Sequence, residues 1–392
     1  MLGVSTERLY YRDSYLSVFE AQICKELGDP CRIYLNRTAF YPTSGGQPHD
    51  LGTLGGQPVV EVVDEGDRIA HVTAAPLVSP SNTVAAAIDW ARRYDHMQQH
   101  TGQHLLSAVF AERFGYQTLS FHMGGEVSTI ELGTPELNDA QMNEVERQAN
   151  LIANESRPVH IRFEDPADVA GLRKASERAG TLRVVEIEGL DRSACGGTHV
   201  RSSSETAPLQ IRKVEKIRGN VRLDFVCGLR AVARAKQDFR LLSALARQSA
   251  TPIDKLPEQF AALRLRLTAA EKDRQRLSME AARREGEELY SEASLSPEGI
   301  RRAKLHVPAI DEAVRAKAQA FTAQPKAVLL VLAEDPPGVL IACSPDASLN
   351  AGAILKQVLS AAGGRGGGAA TLAQGSLPNA QVGNALADAL GF

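Results

Sequence analysis

From Tyr10 to about Trp90, apolar and polar positions alternate in short runs. Arg32-Ile-Tyr-Leu has the two-residue period of a strand, Val59 to Val63 is rich in β-branched residues, and Gly45-Gly46, Pro48, Gly52 and Gly55-Gly56 punctuate the stretch. A small β-barrel-like domain is predicted over residues 1–90. From Asp89 to Phe114 the period lengthens: His96, His100, His104, Leu105, Ala108 and Ala111 recur at three- and four-residue steps, the spacing of one helix face. A second amphipathic helix is predicted over Asp139 to Ala153, with Met142, Val145, Ala149 and Ile152 on one stripe. Strands are predicted over Val159 to Phe163 and Arg183 to Glu188, and a hairpin joins Leu209 to Ile217 with Val221 to Val226 at Gly219-Asn220. Residues 91–228 thus read as an α+β domain.

Residues 229–300 read as helical. Leu229 to Arg247 and Pro257 to Tyr290 are separated by Thr251-Pro252 and Pro257, which end the first helix. Phe260, Leu263, Leu267, Ala270, Leu277 and Ala281 follow a rough heptad that Arg274 breaks, so an antiparallel hairpin or linker is predicted rather than a long coiled coil. Residues 301–392 read as an α/β unit with strands Ala327 to Leu332 and Val339 to Cys343 and a helix from Asn350 to Ala362 closed by Gly363. The fold class expected for the whole chain is α+β.

Composition changes this picture in three ways. The 392 residues carry 44 Lys and Arg against 47 Asp and Glu, a net of −3, which excludes a uniformly basic nucleic-acid coat. Yet Arg201 to Arg240 holds ten basic and four acidic residues, a net of 10 − 4 = +6, which suits either a phosphate-tracking stripe or a solvated sheet face. The longest apolar run, Ala327 to Ala333, is far short of the roughly 20 residues that span a bilayer, and Met1 to Tyr15 lacks a secretory apolar core. A cytoplasmic protein is expected. Five cysteines without a CxxC pair exclude a disulfide framework, so Cys24, Cys31, Cys227 and Cys343 read as small hydrophobes and Cys195 is judged by its neighbours.

Those neighbours carry the chemistry. His100-Thr-Gly-Gln-His104 places two imidazoles at i and i+4, side by side on a helix, and Cys195-Gly-Gly-Thr-His199 brings a thiolate and a third imidazole together in a tight loop. Three nitrogens and one sulfur suit tetrahedral Zn²⁺. His96 shares the helix face one turn earlier and is read as supporting the ligands, since four are already present. Position 101 is Thr where a metalloprotease HExxH helix carries its general-base Glu, so peptide hydrolysis loses its main support. Four protein ligands leave no open position, and the metal is then structural or expands its coordination when substrate or water arrives.

At these residues the chain resembles a known family. The two metal motifs, with Phe40-Tyr-Pro-Thr-Ser-Gly-Gly-Gln47 ahead of them over about Tyr10 to Gly228, look like the editing domain of alanyl-tRNA synthetase, and closer still like the free-standing AlaX-type alanyl-tRNA editing proteins. Gly363-Gly-Arg-Gly-Gly-Gly368, followed by Ala373-Gln-Gly375, is similar to the DHH-associated C-terminal domain of the synthetase and of the long editing proteins. The resemblance implies a zinc-dependent aminoacyl-tRNA deacylase that hydrolyses the ester at the 3′ end of mischarged alanine tRNA, chiefly serine and then glycine. It implies Zn²⁺ on His100, His104, Cys195 and His199, and recognition of the serine hydroxyl by Thr43. Gln47 is a further candidate, to orient the ester or ribose. No synthetase activity is expected, since no aminoacylation domain fits in the residues before the editing region.

The sequence names no general base for a positioned water. His122 and Glu126 are candidates, with His122 equally readable as a strand-turn cap. The glycine run lacks the Lys-Ser or Lys-Thr of a P-loop; its backbone amides at Gly364, Gly366 and Gly367, with the charge of Arg365, are expected to contact tRNA. Alone the run would read as a flexible loop. The partners expected are tRNA and a second copy through the C-terminal region. The alternative reading is a non-catalytic tRNA-binding protein with structural zinc. Nucleotide phosphoesterase activity is disfavoured, because Asp95-His96-Met97 has no accompanying acid cluster.

Overall fold

The computed structural model describes residues 5–24, 28–77, 82–165, 170–174 and 180–392. Alternating burial shapes the first domain. Strands β1 (Val18–Cys24), β2 (Arg32–Leu35), β3 (Gly52–Leu54), β4 (Gln57–Asp64), β5 (Ile69–Thr73) and β6 (Thr83–Ile88) close into a barrel in the order β1-β2-β5-β4-β3-β6. Every second side chain of β1 and β6 turns inward, and Phe19, Leu35, Leu54, Val62, Ile69 and Val84 fill the interior.

Helix α1 (Trp90–Phe114) follows directly. Asp89 caps it by accepting the Arg92 amide at 3.2 Å, and Gly115 ends it in the left-handed region at φ 70°. From His96 to Phe110 it is buried all round, because α2 (Asp139–Asn154) and the four-stranded sheet of β7 (Thr118–Met123), β8 (Ser128–Leu132), β12 (Leu209–Ile217) and β13 (Asn220–Cys227) pack against it. That sheet runs β12-β13-β8-β7, and the β12–β13 hairpin turns at Arg218-Gly219, one residue before the predicted Gly219-Asn220. Gly102 of α1 faces Cys227, and a Cβ there would sit 2.6 Å from its sulfur. A three-stranded sheet of β9 (Val159–Glu164), β10 (Leu182–Ile187) and β11 (Asp191–Ala194) leads into the loop at Cys195.

The chain divides into two compact units, Met1–Ala244 and Leu245–Phe392. The boundary falls inside α3 (Gly228–Gln248). The second unit holds α4 (Leu256–Glu292) and a six-stranded sheet of β14 (Ser294–Leu295), β15 (Arg301–Val307), β16 (Ala327–Glu334), β17 (Pro337–Cys343), β18 (Arg365–Gly368) and β19 (Leu372–Ser376), in the order β14-β15-β16-β17-β19-β18. Helices α6 (Ala351–Ala361) and α7 (Ala380–Ala389) cover one face. Helix α5 (Glu312–Thr322) and the end of α4 cover the other. The long apolar run is β16, buried on both faces and hence continuous rather than alternating. No helix among the described residues is long and apolar enough to cross a membrane.

The glycine run is not a loop: residues 365–368 form the edge strand β18, paired to β19 from Arg365↔Ser376 to Gly368↔Ala373. Its glycines have a packing cause, since a Cβ on Gly366 would meet Leu359 and Gly375, and one on Gly368 would strike the Leu372 carbonyl.

Candidate metal centre and cavity

The four donors predicted from spacing come together. His100, His104, Cys195 and His199 offer ligand atoms that all lie within 4.8 Å of one another. Cys195 Sγ is 3.4 Å from His100 Nε2 and 3.3 Å from His199 Nε2, close to the spacing of about 3.3–3.6 Å between donors on a tetrahedron with bonds of about 2.0–2.3 Å.

The other ring nitrogen of each histidine is engaged. His100 Nδ1 lies 2.8 Å from Gln47 Oε1, His104 Nδ1 lies 2.8 Å from Asp191 Oδ2, and His199 Nδ1 lies 3.0 Å from Thr101 Oγ1. With the proton on Nδ1 held outward, each Nε2 is left to face the donor cluster, the arrangement by which outer partners fix ligand imidazoles. Burial opposes charge on His104, yet the Asp191 carboxylate and the Cys195 sulfur hold its ring up at about 9. Burial, helped by the neighbouring His100 and His104 rings and opposed by the Cys195 sulfur, pushes His199 down to about 3. Burial also opposes a Cys195 thiolate, but His100 and His199 hold its pKa well below the ordinary thiol value, the direction that favours the thiolate, the form that binds cations. The donor set, its spacing and its outer partners fit Zn²⁺.

The loop that carries the thiolate is braced. Arg183 donates through Nη1 to the Cys195 carbonyl at 2.6 Å, and the Cys195 amide donates to the Arg183 carbonyl at 3.0 Å. Gly197 donates its amide to Cys195 Sγ at 3.4 Å and Thr198 donates to Gln47 Oε1 at 3.2 Å. Of the Gly196, Gly197 and Thr198 amides, only that of Gly196 makes no hydrogen bond among the described residues.

His100, His104 and Cys195 form part of the wall of a cavity of about 770 Å³, with Tyr10, Tyr41 and Gln103 among its other lining residues. Several expected residues lie elsewhere. Gln47 is 0% exposed and off the cavity; its Nε2 donates to Thr198 Oγ1 at 2.8 Å, so it orients His100 rather than an ester. Thr43 also misses the cavity. Its hydroxyl lies 3.0 Å from His49 Nδ1 and accepts the His49 amide at 3.1 Å, while His49 Nε2 reaches the Val60 carbonyl at 3.1 Å. Its neighbour Ser44 lines the wall instead.

His122 sits within β7 opposite Thr129, on the sheet face away from Phe121, whose ring lies 5.3 Å from that of His100. It is exposed, as is Glu126 in the following turn, and neither lines the cavity nor caps a strand. His96 is buried outside the donor cluster, with Nδ1 unpartnered. Sequence reasoning missed Asp191, which also binds Arg173 at 2.6 Å, and Thr101, which it read only as the missing glutamate of a protease. A carboxylate four residues before the metal cysteine is the one local signal for Asp191.

The basic segment is partly neutralised. Arg212 and Arg234 share Asp238 at 2.6 and 3.2 Å, Lys213 pairs with Glu215, and Arg230 pairs with Asp95. Lys216, Arg218, Lys236 and Arg240 are exposed and make no ion pair among the described residues.

A barrel followed by a histidine-bearing helix and a Cys-Gly-Gly-Thr-His loop, ahead of a separate α/β unit, defines a class that comparison with known proteins identifies. Residues 182–223 match the threonyl and alanyl tRNA synthetase second additional domain, and residues 303–391 match the DHHA1 domain. Alanyl-tRNA editing protein AlaX-L of Pyrococcus horikoshii is 30% identical over 390 residues, 94% of each chain. The chain belongs to the AlaX-type family of alanyl-tRNA editing proteins. Alanyl-tRNA editing protein Aarsd1-A of Xenopus laevis is 37% identical over 244 residues, 59% of this chain and 59% of that one. The match therefore spans about three fifths of that relative's length. Alanine--tRNA ligase of Pyrococcus abyssi is 30% identical over 95% of this chain and 42% of its own.

Proposed function

We propose that this protein is a cytoplasmic, zinc-dependent deacylase of mischarged alanine tRNA, acting on serine and secondarily on glycine. The observation that carries the reading is the convergence of three imidazoles and one cysteine sulfur in a single cluster, of which His100, His104 and Cys195 line the cavity, in a chain of the editing family. The reaction is ester hydrolysis: water adds to the ester carbonyl, the bond to the ribose oxygen breaks, and the amino acid leaves with a free ribose hydroxyl on the tRNA.

His100, His104, Cys195 and His199 hold Zn²⁺. Bound there, the ion supplies Lewis acidity toward an oxygen of the 3′ end. Gln47, Asp191 and Thr101 keep the three rings in the productive tautomer, and the Gly196 amide is placed to donate to a developing oxyanion. For the body of the tRNA, the contacts are Lys216, Arg218, Lys236 and Arg240, together with Arg365 and the backbone of Gly366 and Gly367 in the exposed edge strand β18; the Gly364 amide, just before that strand, is already donated to the Leu359 carbonyl at 2.9 Å.

Incubating the protein with serine and alanine esters of alanine tRNA tests the reading. The serine ester is expected to decay many-fold faster than its uncatalysed rate while the alanine ester is spared. Protein-independent decay of both would leave the non-catalytic reading, which a donor set that fills a tetrahedron also suits.

Gly197 supplies a second prediction. A Cβ there would run into His100 Cε1 and Nδ1 and approach Gln47 Oε1 to 3.0 Å, so Gly197→Ala must displace the ring or the loop. Zinc per chain, measured by elemental analysis after exchange into metal-free buffer, is expected to fall below half that of the wild type.

A further inference from the structure

Gln103 lies on α1 beside His104 and lines the cavity, although its residue is only 6% exposed. Two hydroxyls fix its carboxamide. Nε2 donates to Ser107 Oγ at 2.7 Å, and Thr118 of β7 donates its hydroxyl to the same oxygen at 2.6 Å. The donor half of the amide is thereby anchored between helix and strand. Its Oε1 accepts no hydrogen bond among the described residues and is not sealed in the interior with the orphaned buried atoms. A clamped acceptor, almost wholly buried and open only to the cavity, is where a donor on the substrate belongs.

We propose that Gln103 Oε1 accepts the side-chain hydroxyl of the amino acid being removed and so sets the preference for serine; this rests on the deacylase reading above. A ribose hydroxyl is common to all these esters and cannot set a preference among them; the other donor they share is the α-ammonium, and the surroundings disfavour it. Arg8, Asp64, Arg173 and Lys174 also line the cavity; Asp64 is paired with Arg8 and Arg173 with Asp191, which leaves Lys174 as the cation without an ion pair among the described residues, and Zn²⁺ with one thiolate and three neutral rings carries a formal +1. A neutral acceptor suits a neutral O–H. Thr43, the residue expected to read that hydroxyl, has committed its own to His49. Gln103 acts by the logic that separates hydroxylated from hydroxyl-free substrates: alanine leaves a buried acceptor unpaired, and serine does not.

The test measures release from serine, glycine and alanine esters of alanine tRNA by wild type, Gln103→Met and Ser107→Ala, with zinc content and melting temperature recorded for each. Met keeps length and apolar volume but removes the acceptor. Ala at 107 is a good helix residue that frees the carboxamide to rotate, and it keeps the question open to test if the Met variant folds poorly. The ratio of the serine rate to the faster of the other two is expected to drop roughly tenfold in Gln103→Met, the scale of one hydrogen bond, and by a smaller factor in Ser107→Ala, with zinc unchanged in both. An unchanged ratio, or equal loss on every ester, overturns the role of Gln103 and leaves the deacylase reading standing. Failure of the wild type on all three esters overturns both.

Discussion

Cys195→Ala is expected to abolish zinc retention and serine-ester hydrolysis together. The sulfur is the only anion in the donor set. Without it the remaining donors are three neutral imidazoles in a buried pocket, and the divalent charge loses both a bond and its compensation. Removing an outer partner of a ligand costs about 10–100-fold in metal affinity, so loss of the ligand itself should exceed that. Gln47→Leu, which deletes only the acceptor of the His100 N–H, provides the internal scale. Elemental analysis of both variants is expected to rank wild type above Gln47→Leu above Cys195→Ala, with the last near zero. Stoichiometric zinc in Cys195→Ala would remove the cysteine from the ligand set.

That ranking separates what the sequence makes visible from what it hides. The four donors are legible because metal chemistry restricts residue type and because each pair is local: i and i+4 on one helix, i and i+4 in one tight loop. Helix α1 was legible to within a residue for the same reason, a period set by backbone geometry with a cap at each end. The outer partners were not. Gln47 meets His100 across 53 positions and Asp191 meets His104 across 87, separations that only the packing of barrel, helix and sheet decides.

Direction was hidden as well as distance. Thr43 and His122 belong to the right segments, but a turn sends one hydroxyl to His49, and strand register puts the imidazole on the outer sheet face. The glycine run misled for a related reason. Locally glycine signals a loop, yet pairing to β19 and the close approach of Leu359 make these residues a strand. The charge excess of residues 201–240 is real in sequence, but the pairing of Arg230 with Asp95 and of Arg212 with Asp238 is tertiary.

The barrel and α1 are tied by a pair whose loss should be the largest stability change in the first unit. Arg93 and Asp50 are both 0% exposed. Arg93 Nε lies 3.0 and 3.1 Å from the two Asp50 oxygens, its Nη1 donates to the Ser14 carbonyl at 2.8 Å and its Nη2 to the Ala39 carbonyl at 2.6 Å, while Asp50 also accepts the Tyr41 amide at 2.6 Å. Asp50→Ala strands a buried guanidinium, and breaking such a pair costs about 3–5 kcal/mol. For a unit of this size that corresponds to a fall on the order of 10 °C in melting temperature by calorimetry. Arg93→Met should cost a similar amount.

The double variant Asp50→Ala/Arg93→Met should recover only part of the loss. It removes the stranded charge but leaves the Ser14 and Ala39 carbonyls and the Tyr41 amide without partners. A single variant costing under about 1 kcal/mol would show that the pair merely balances its own desolvation. The effect should reach the metal centre, because Asp50 anchors the segment that carries Gln47 to His100. Asp50→Ala is therefore expected to lose zinc more readily than wild type below its melting transition, which a variant destabilised in the barrel core, such as Val62→Ala, would not do.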